Sequence, residues 1–201
     1  MPTKVLDHFK KVDPILYKVI KEIGELEPRK SFEKKDYFVN LVESIISQQL
    51  SGKAADTIFG RFKNLFPRKT IIPSAVLKLE KLKIRNAGIS YSKIKYIKDL
   101  SLKAQNREIN FDGLVNLPDS DVISELTRVK GIGKWTAEMF LMFTLNRPDI
   151  FSHGDLGLNN AIKKIYKREK YDIEEIEKIV SVWSPHKTYA SRILWKSLNN
   201  R

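Results

Sequence analysis

The stretch from Trp135 to Leu145, WTAEMFLMFTL, is apolar at nearly every position, so a helix built from it has no obvious polar side to turn towards water. Such a helix is stable when other helices surround it, and the rest of the chain must pack around this segment as its centre. The remainder carries the complementary pattern. Phe38, Leu41, Val42, Ile45 and Ile46 recur at helical spacing, as do Ala55, Ile58, Phe59, Phe62 and Phe66, while convincing strand-like alternation is absent. Breaks at Glu27-Pro28, Phe66-Pro67, Ile72-Pro73, Leu117-Pro118, Lys130-Gly131-Ile132-Gly133, Arg147-Pro148 and Ser184-Pro185 cut the chain into about ten short helices. The expected fold class is all-α. A chain of 201 residues can hold one sizeable core or two small lobes. With no long linker or repeat of fixed period, the expectation is a single unit over 1–201 made of two lobes with a cleft. One lobe takes 33–146, and the other is assembled from 1–32 plus 147–201.

Charge narrows the partner class. The 37 Lys and Arg residues against 24 Asp and Glu leave a formal charge of +13, which favours a polyanion, although a basic surface that merely holds water has the same composition. The absence of cysteine excludes disulfides, thiolate metal sites and cysteine-ligated iron–sulfur clusters. His8, His153 and His186 are too scattered in sequence to suggest a zinc site, so a metal-dependent hydrolase is not expected. The first residues, MPTKVLDHFKKVD, lack the apolar core of a signal peptide, and no stretch approaches the length of a membrane span. The expected setting is intracellular, the cytoplasm or nucleoid of a prokaryote or the nucleus of a eukaryote, with no membrane partner.

Two segments carry chemistry. Leu126 to Ala137 reads LTRVKGIGKWTA, in which Gly131 and Gly133 form a Gly-x-Gly turn leading straight into the central helix. Glycines let such a turn expose its amide hydrogens, and with the positive end of the following helix these make a seat for a phosphate group. Lys134 adds a mobile cation. A plain glycine turn between two helices is the structural alternative. Asp155 follows Trp135 by twenty residues, just before a helical stretch containing Ile162 and Ile165. It reads equally as a helix N-cap, and the two roles are compatible. Capping amides and the helix dipole favour the charged carboxylate, which would then be available to stabilise positive charge on a neighbouring group.

The hairpin Val129-Lys130-Gly131-Ile132-Gly133-Lys134-Trp135-Thr136-Ala137 followed by Asp155 resembles the signature of the helix-hairpin-helix (HhH-GPD) DNA glycosylase superfamily. Three further blocks resemble, in order, segments of its 3-methyladenine DNA glycosylase II branch. They are Ser44 to Ser51, SIISQQLS; Ala87-Gly88-Ile89-Ser90 with Lys93, Tyr96 and Ile97; and Trp183-Ser184-Pro185 with Tyr189, Ala190 and Trp195. The similarity runs from about Phe38 to Trp195 and leaves no room for the β-domain of larger members. It implies the smaller two-lobed fold, without β-domain or iron–sulfur cluster, acting as a monomer on double-stranded DNA that contains damaged bases.

The resemblance makes Asp155 the catalytic carboxylate, and Trp135, Trp195, Met139 and Leu156 the base pocket. Gly131, Gly133, Lys134 and Thr136 become the phosphate clamp, and Gln49, with Leu50 beside it, the wedge that fills the gap left by an extruded nucleotide. It also implies a structural monovalent cation (Na or K) on the backbone carbonyls of Thr127, Val129 and Ile132, with no other cofactor. The sequence departs from the family where Gly154 replaces a frequent acidic residue, where His153 stands unexpectedly, and where Met139 and Leu156 make the pocket less aromatic. Both Trp135 and Trp195 lie on apolar helices and read equally as core. The expected reaction is hydrolytic release of an alkylated purine, 3-methyladenine, 7-methylguanine or 1-methyladenine, or of hypoxanthine, without strand cutting. The alternatives are a glycosylase for oxidised or deaminated bases and a non-catalytic DNA-structure-binding module.

Overall fold

The computed structural model describes residues 3–167 and 172–199. Among these residues there are twelve α-helices, two short 3-10 turns and no strand. The helices are α1 (Thr3–Val12), α2 (Pro14–Ile23), α3 (Lys34–Ser47), α4 (Gly52–Lys63), α5 (Pro73–Lys78) and α6 (Lys81–Asn86), followed by α7 (Tyr91–Gln105), α8 (Asp119–Thr127), α9 (Lys134–Phe143), α10 (Leu156–Ile165), α11 (Ile173–Ser181) and α12 (Lys187–Asn199). Two compact units divide them, a contiguous one over Ser31–Leu145 and a split one formed by Met1–Lys30 with Asn146–Arg201. No helix among the described residues is long and apolar enough to cross a membrane.

The contiguous unit holds α3 to α9. Leu41, Val42, Ile45 and Ile46 from α3, Ile94, Ile97 and Leu100 from α7, and Val122 and Leu126 from α8 are buried with Phe140 and Leu141 of α9. Helix α7 packs against α3, α5 and α6, and α9 packs against α8 and α3. The helix boundaries follow local chemistry. Ser90 caps α7 by accepting the Lys93 amide at 3.3 Å, and α3 starts on a capping box between Glu33 and Asp36.

In the split unit, Phe9, Leu16, Ile20, Leu158, Ile162, Val180, Trp183, Ile193 and Leu194 form the core. Asp13 is buried there and satisfied from three sides. One oxygen caps α2 by accepting the Leu16 amide at 2.9 Å, while the other accepts the Trp183 indole N–H at 2.7 Å and the Tyr166 hydroxyl. A buried carboxylate is costly without partners, so this one residue ties the start of α2 to the ends of α10 and α11.

The central helix corrects one expectation. Ala137, Phe140, Leu141 and Met142 are buried as anticipated, but Trp135 remains 47 % exposed and Phe143 38 %, with Met139 half-buried between them. These three stand at i, i+4 and i+8, so one stripe of α9 stays partly exposed while the polar Thr136 and Glu138 are buried. Fully burying a large apolar side chain contributes about 1.5–3 kcal/mol, part of which this stripe forgoes. The apolar character of the helix thus reflects packing on its other faces and a partly exposed apolar stripe on this one.

Candidate active site

In the contiguous unit, α8 ends at Thr127 and the chain turns through Val129 to Gly133 into α9. Val129 and Ile132 are buried and anchor the turn, and the Ile132 amide donates to the Val129 carbonyl at 3.1 Å. Gly131 has φ +83°, and a Cβ there would lie 2.1 Å from the Tyr96 ring. No other residue fits. Gly133, by contrast, has no atom within 4 Å of its would-be Cβ and an ordinary φ of −93°. The two glycines, expected to act alike, are unequal, because backbone conformation and packing require only the first. Helix α7 supports the turn twice, through Tyr96 beneath Gly131 and through Asp99, which accepts the Lys130 amide at 2.9 Å.

Gly133 offers α9 no side-chain cap, which leaves the first turn of the helix suited to an anion. Lys134 is 72 % exposed at its side chain, with Nζ 3.9 Å from Glu138 Oε1. Thr136, expected on the DNA-binding surface, is buried at 6 % exposure, so any contribution to binding comes from its main chain and not its hydroxyl. Its inward direction follows from the helical turn that points Trp135 out.

Gln49 and Leu50, expected as the wedge, lie in the same unit. After α3 ends at Ser47, Gln49 adopts φ +59°, and both Gln49 and Leu50 are exposed. A left-handed residue with a side chain costs about 1–2 kcal/mol, so the surrounding bonds must hold it. Lys93 donates to the carbonyls of Ile46 at 2.7 Å and Gln48 at 2.6 Å, and the Gln48 side chain donates to the Gly131 carbonyl at 2.8 Å. Desolvation lowers the pKa of the Lys93 ammonium below the usual lysine value. Charge-assisted bonds are worth about 1.5–3 kcal/mol each, enough to offset the strain at Gln49.

The split unit carries the carboxylate. Asp155 is the N-cap of α10, 8 % exposed, with φ −81° and ψ 114°. Its Oδ1 accepts the Leu158 amide at 2.8 Å and the Trp195 indole N–H at 3.1 Å. Gly157 makes this approach possible. A Cβ there would sit 3.0 Å from Asp155 Oδ1 and 3.3 Å from the Trp195 indole nitrogen. The preceding loop is pinned by His153, whose Nε2 lies 3.0 Å from a Glu177 oxygen and whose carbonyl accepts from Asn159 at 2.9 Å. Leu156, expected as a pocket wall, is 77 % exposed and packs against little within its own unit.

The anticipated residues therefore fall into two groups. Asp155, Trp195 and Leu156 belong to the split unit, whereas the hairpin, Trp135, Met139, Gln49 and Leu50 belong to the contiguous one. The supporting roles of Asp99, Gln48 and Gly157 escaped sequence reasoning. Lys93 and Tyr96 were recognised only as part of a motif, without a role.

The profile of the HhH-GPD superfamily of base excision DNA repair proteins matches residues 42–186. The chain is 31 % identical over 208 residues to DNA-3-methyladenine glycosylase 1 of Schizosaccharomyces pombe, an alignment covering 97 % of this chain and 87 % of that protein. Among solved structures, DNA-3-methyladenine glycosidase of Bacillus halodurans superposes with a TM-score of 0.82 at 34 % identity, covering 96 % of this chain and 89 % of the other. The Schizosaccharomyces pombe 3-methyladenine DNA glycosylase in complex with abasic DNA gives the same TM-score, 0.82, at 30 % identity, covering 98 % and 97 %.

Proposed function

The chain belongs to the HhH-GPD superfamily of base excision DNA repair proteins, and on that premise we propose that it is a monofunctional DNA glycosylase that extrudes an alkylated purine from double-stranded DNA and hydrolyses its glycosidic bond. The observation that carries the reading is the held carboxylate of Asp155. With Oδ1 fixed by an amide and an indole N–H, the group is preorganised, so little reorganisation is needed when charge develops nearby.

Extruding a base costs a few kcal/mol, least where pairing is already weakened. The hairpin amides and Lys134 hold the flanking phosphate, while Gln49 and Leu50 fill the gap in the stack. As the glycosidic bond lengthens, the deoxyribose becomes oxocarbenium-like, and the Asp155 carboxylate stabilises that charge and draws in the attacking water. An alkylated purine carries positive charge and leaves readily, so one carboxylate suffices. The partly exposed Trp135 ring would attract such a cation. A monovalent cation, Na or K, would be held by the carbonyls of Thr127, Val129 and Ile132. All three donors are neutral main-chain oxygens, and the Val129 oxygen accepts the Ile132 amide on one of its two lone pairs. When bound, it adds positive charge to the phosphate seat.

The test is a panel of duplexes each carrying one 3-methyladenine, 7-methylguanine, 1-methyladenine or hypoxanthine. Release of the cationic methylated purines ahead of neutral hypoxanthine is expected. Binding without release of any base would leave only the DNA-structure-binding module.

Variants of the hairpin separate phosphate binding from a simple turn. Gly131→Ala forces a Cβ into the Tyr96 ring and should weaken binding to every DNA sequence alike, whereas Gly133→Ala, with open space around it, should change little. Lys134→Ala should shallow the salt dependence of binding by up to about one unit of log–log slope. Titrations at several salt concentrations check all three, and unchanged affinity in Gly131→Ala together with an unchanged slope in Lys134→Ala would reduce the hairpin to a connection between helices.

A further inference from the structure

Helix α7 reaches, from one side, both segments of the contiguous unit that are proposed to contact DNA. Lys93, Tyr96 and Asp99 follow one another at three-residue steps, within roughly a third of the helix circumference. Lys93 holds the carbonyls of Ile46 and Gln48 at the end of α3, Tyr96 fills the space beneath Gly131, and Asp99 accepts the Lys130 amide. The Gln48 side chain closes the loop by donating to the Gly131 carbonyl. The Gln49–Leu50 turn and the hairpin are thus tied to one spine and to each other.

We infer that Lys93 is a positioning residue for base extrusion, fixing the Gln49–Leu50 turn at a set distance from the hairpin through Gln48. This inference rests on the proposed roles of the hairpin as phosphate seat and of Gln49 and Leu50 as wedge. A wedge must enter the stack at a fixed offset from the phosphates that are gripped, and a loose turn would have to be ordered at the moment of insertion. The carbonyls at the end of α3 need a donor, and a cation suits that end of the helix dipole. Lys93 supplies both from a neighbouring helix, so the left-handed backbone of Gln49 is held before DNA arrives.

The experiment compares Lys93→Met, Lys93→Arg, Gln48→Ala and the double variant Gln49→Ala/Leu50→Ala with the wild type. Three quantities are read: affinity for undamaged duplex, fluorescence of 2-aminopurine placed beside a 7-methylguanine, and single-turnover release of that base. Lys93→Met and Gln48→Ala are expected to keep the affinity yet lose the fluorescence rise and slow release about tenfold, as misplacement of a positioning group does. Lys93→Arg, which retains charge and donors, should recover most of both. Gln48 is partly exposed, so its variant still decides the matter if Lys93→Met melts early.

Extrusion intact in Lys93→Met and Gln48→Ala but lost in the Gln49/Leu50 double variant would overturn the tie and leave the wedge standing. Full extrusion in the double variant would remove the wedge itself, and the inference with it. Loss of undamaged-duplex affinity in parallel with release would show that Lys93 supports the unit as a whole, which also overturns the positioning role.

Discussion

Asp155→Asn is expected to fold, to bind DNA as the wild type does, and to release base at least about a hundredfold more slowly, the order of loss seen when one preorganised electrostatic group is removed from a reaction centre. Asparagine keeps the shape of the cap. Its Oδ1 can still accept the Leu158 amide and the Trp195 indole N–H, the two bonds that place Asp155 at the head of α10. What it lacks is the negative charge that the proposed mechanism sets against the developing oxocarbenium ion. Asp155→Ala would mix two effects, because losing an N-cap costs about 1 kcal/mol of helix stability on its own. The asparagine variant is therefore the cleaner probe. Thermal melts, affinity for abasic-site duplex and single-turnover release from a 7-methylguanine duplex make the comparison. Release near the wild-type rate would mean that Asp155 is a helix cap and nothing more.

The sequence made the carboxylate and the hairpin legible for local reasons. An Asp directly before an apolar periodic run is the pattern of an N-cap, and α10 begins at the next residue. A glycine pair between two helices marks a turn, and of the two Gly131 is the one with a positive φ. Local pattern says nothing about which neighbours cover a face. It could not show that Thr136 turns inward while Trp135, Met139 and Phe143 form a partly exposed stripe, nor that Leu156 stands 77 % exposed. Adjacent helical residues point roughly 100° apart, so a residue beside a functional one often faces elsewhere. Long-range polar contacts were equally out of reach. Gln48 to Gly131, Lys93 to Ile46 and Asp99 to Lys130 each join residues that are distant in sequence, and only the packing of α7 against α3 and the hairpin brings them together.

The fate of the DNA strand turns on one position of the hairpin. Lyase-competent relatives such as endonuclease III carry a lysine two residues after the second hairpin glycine, and its amine displaces the base at the sugar carbon to form a Schiff base that leads to strand cleavage. Trp135 occupies that position here, and an indole has no amine lone pair to offer. Lys134 stands one residue earlier, roughly 100° away around the helix. Its ammonium is directed into solvent and towards Glu138, 3.9 Å away. On the proposed mechanism water activated by Asp155 is then the nucleophile, and the expected product is the free base with an intact abasic strand. Borohydride added during turnover is expected to trap no covalent protein–DNA adduct, and denaturing electrophoresis should show full-length strand until alkali or heat is applied. An adduct that survives Lys134→Ala would place the amine on another lysine. One abolished by that change would show that Lys134 swings to the sugar despite its direction in the free protein.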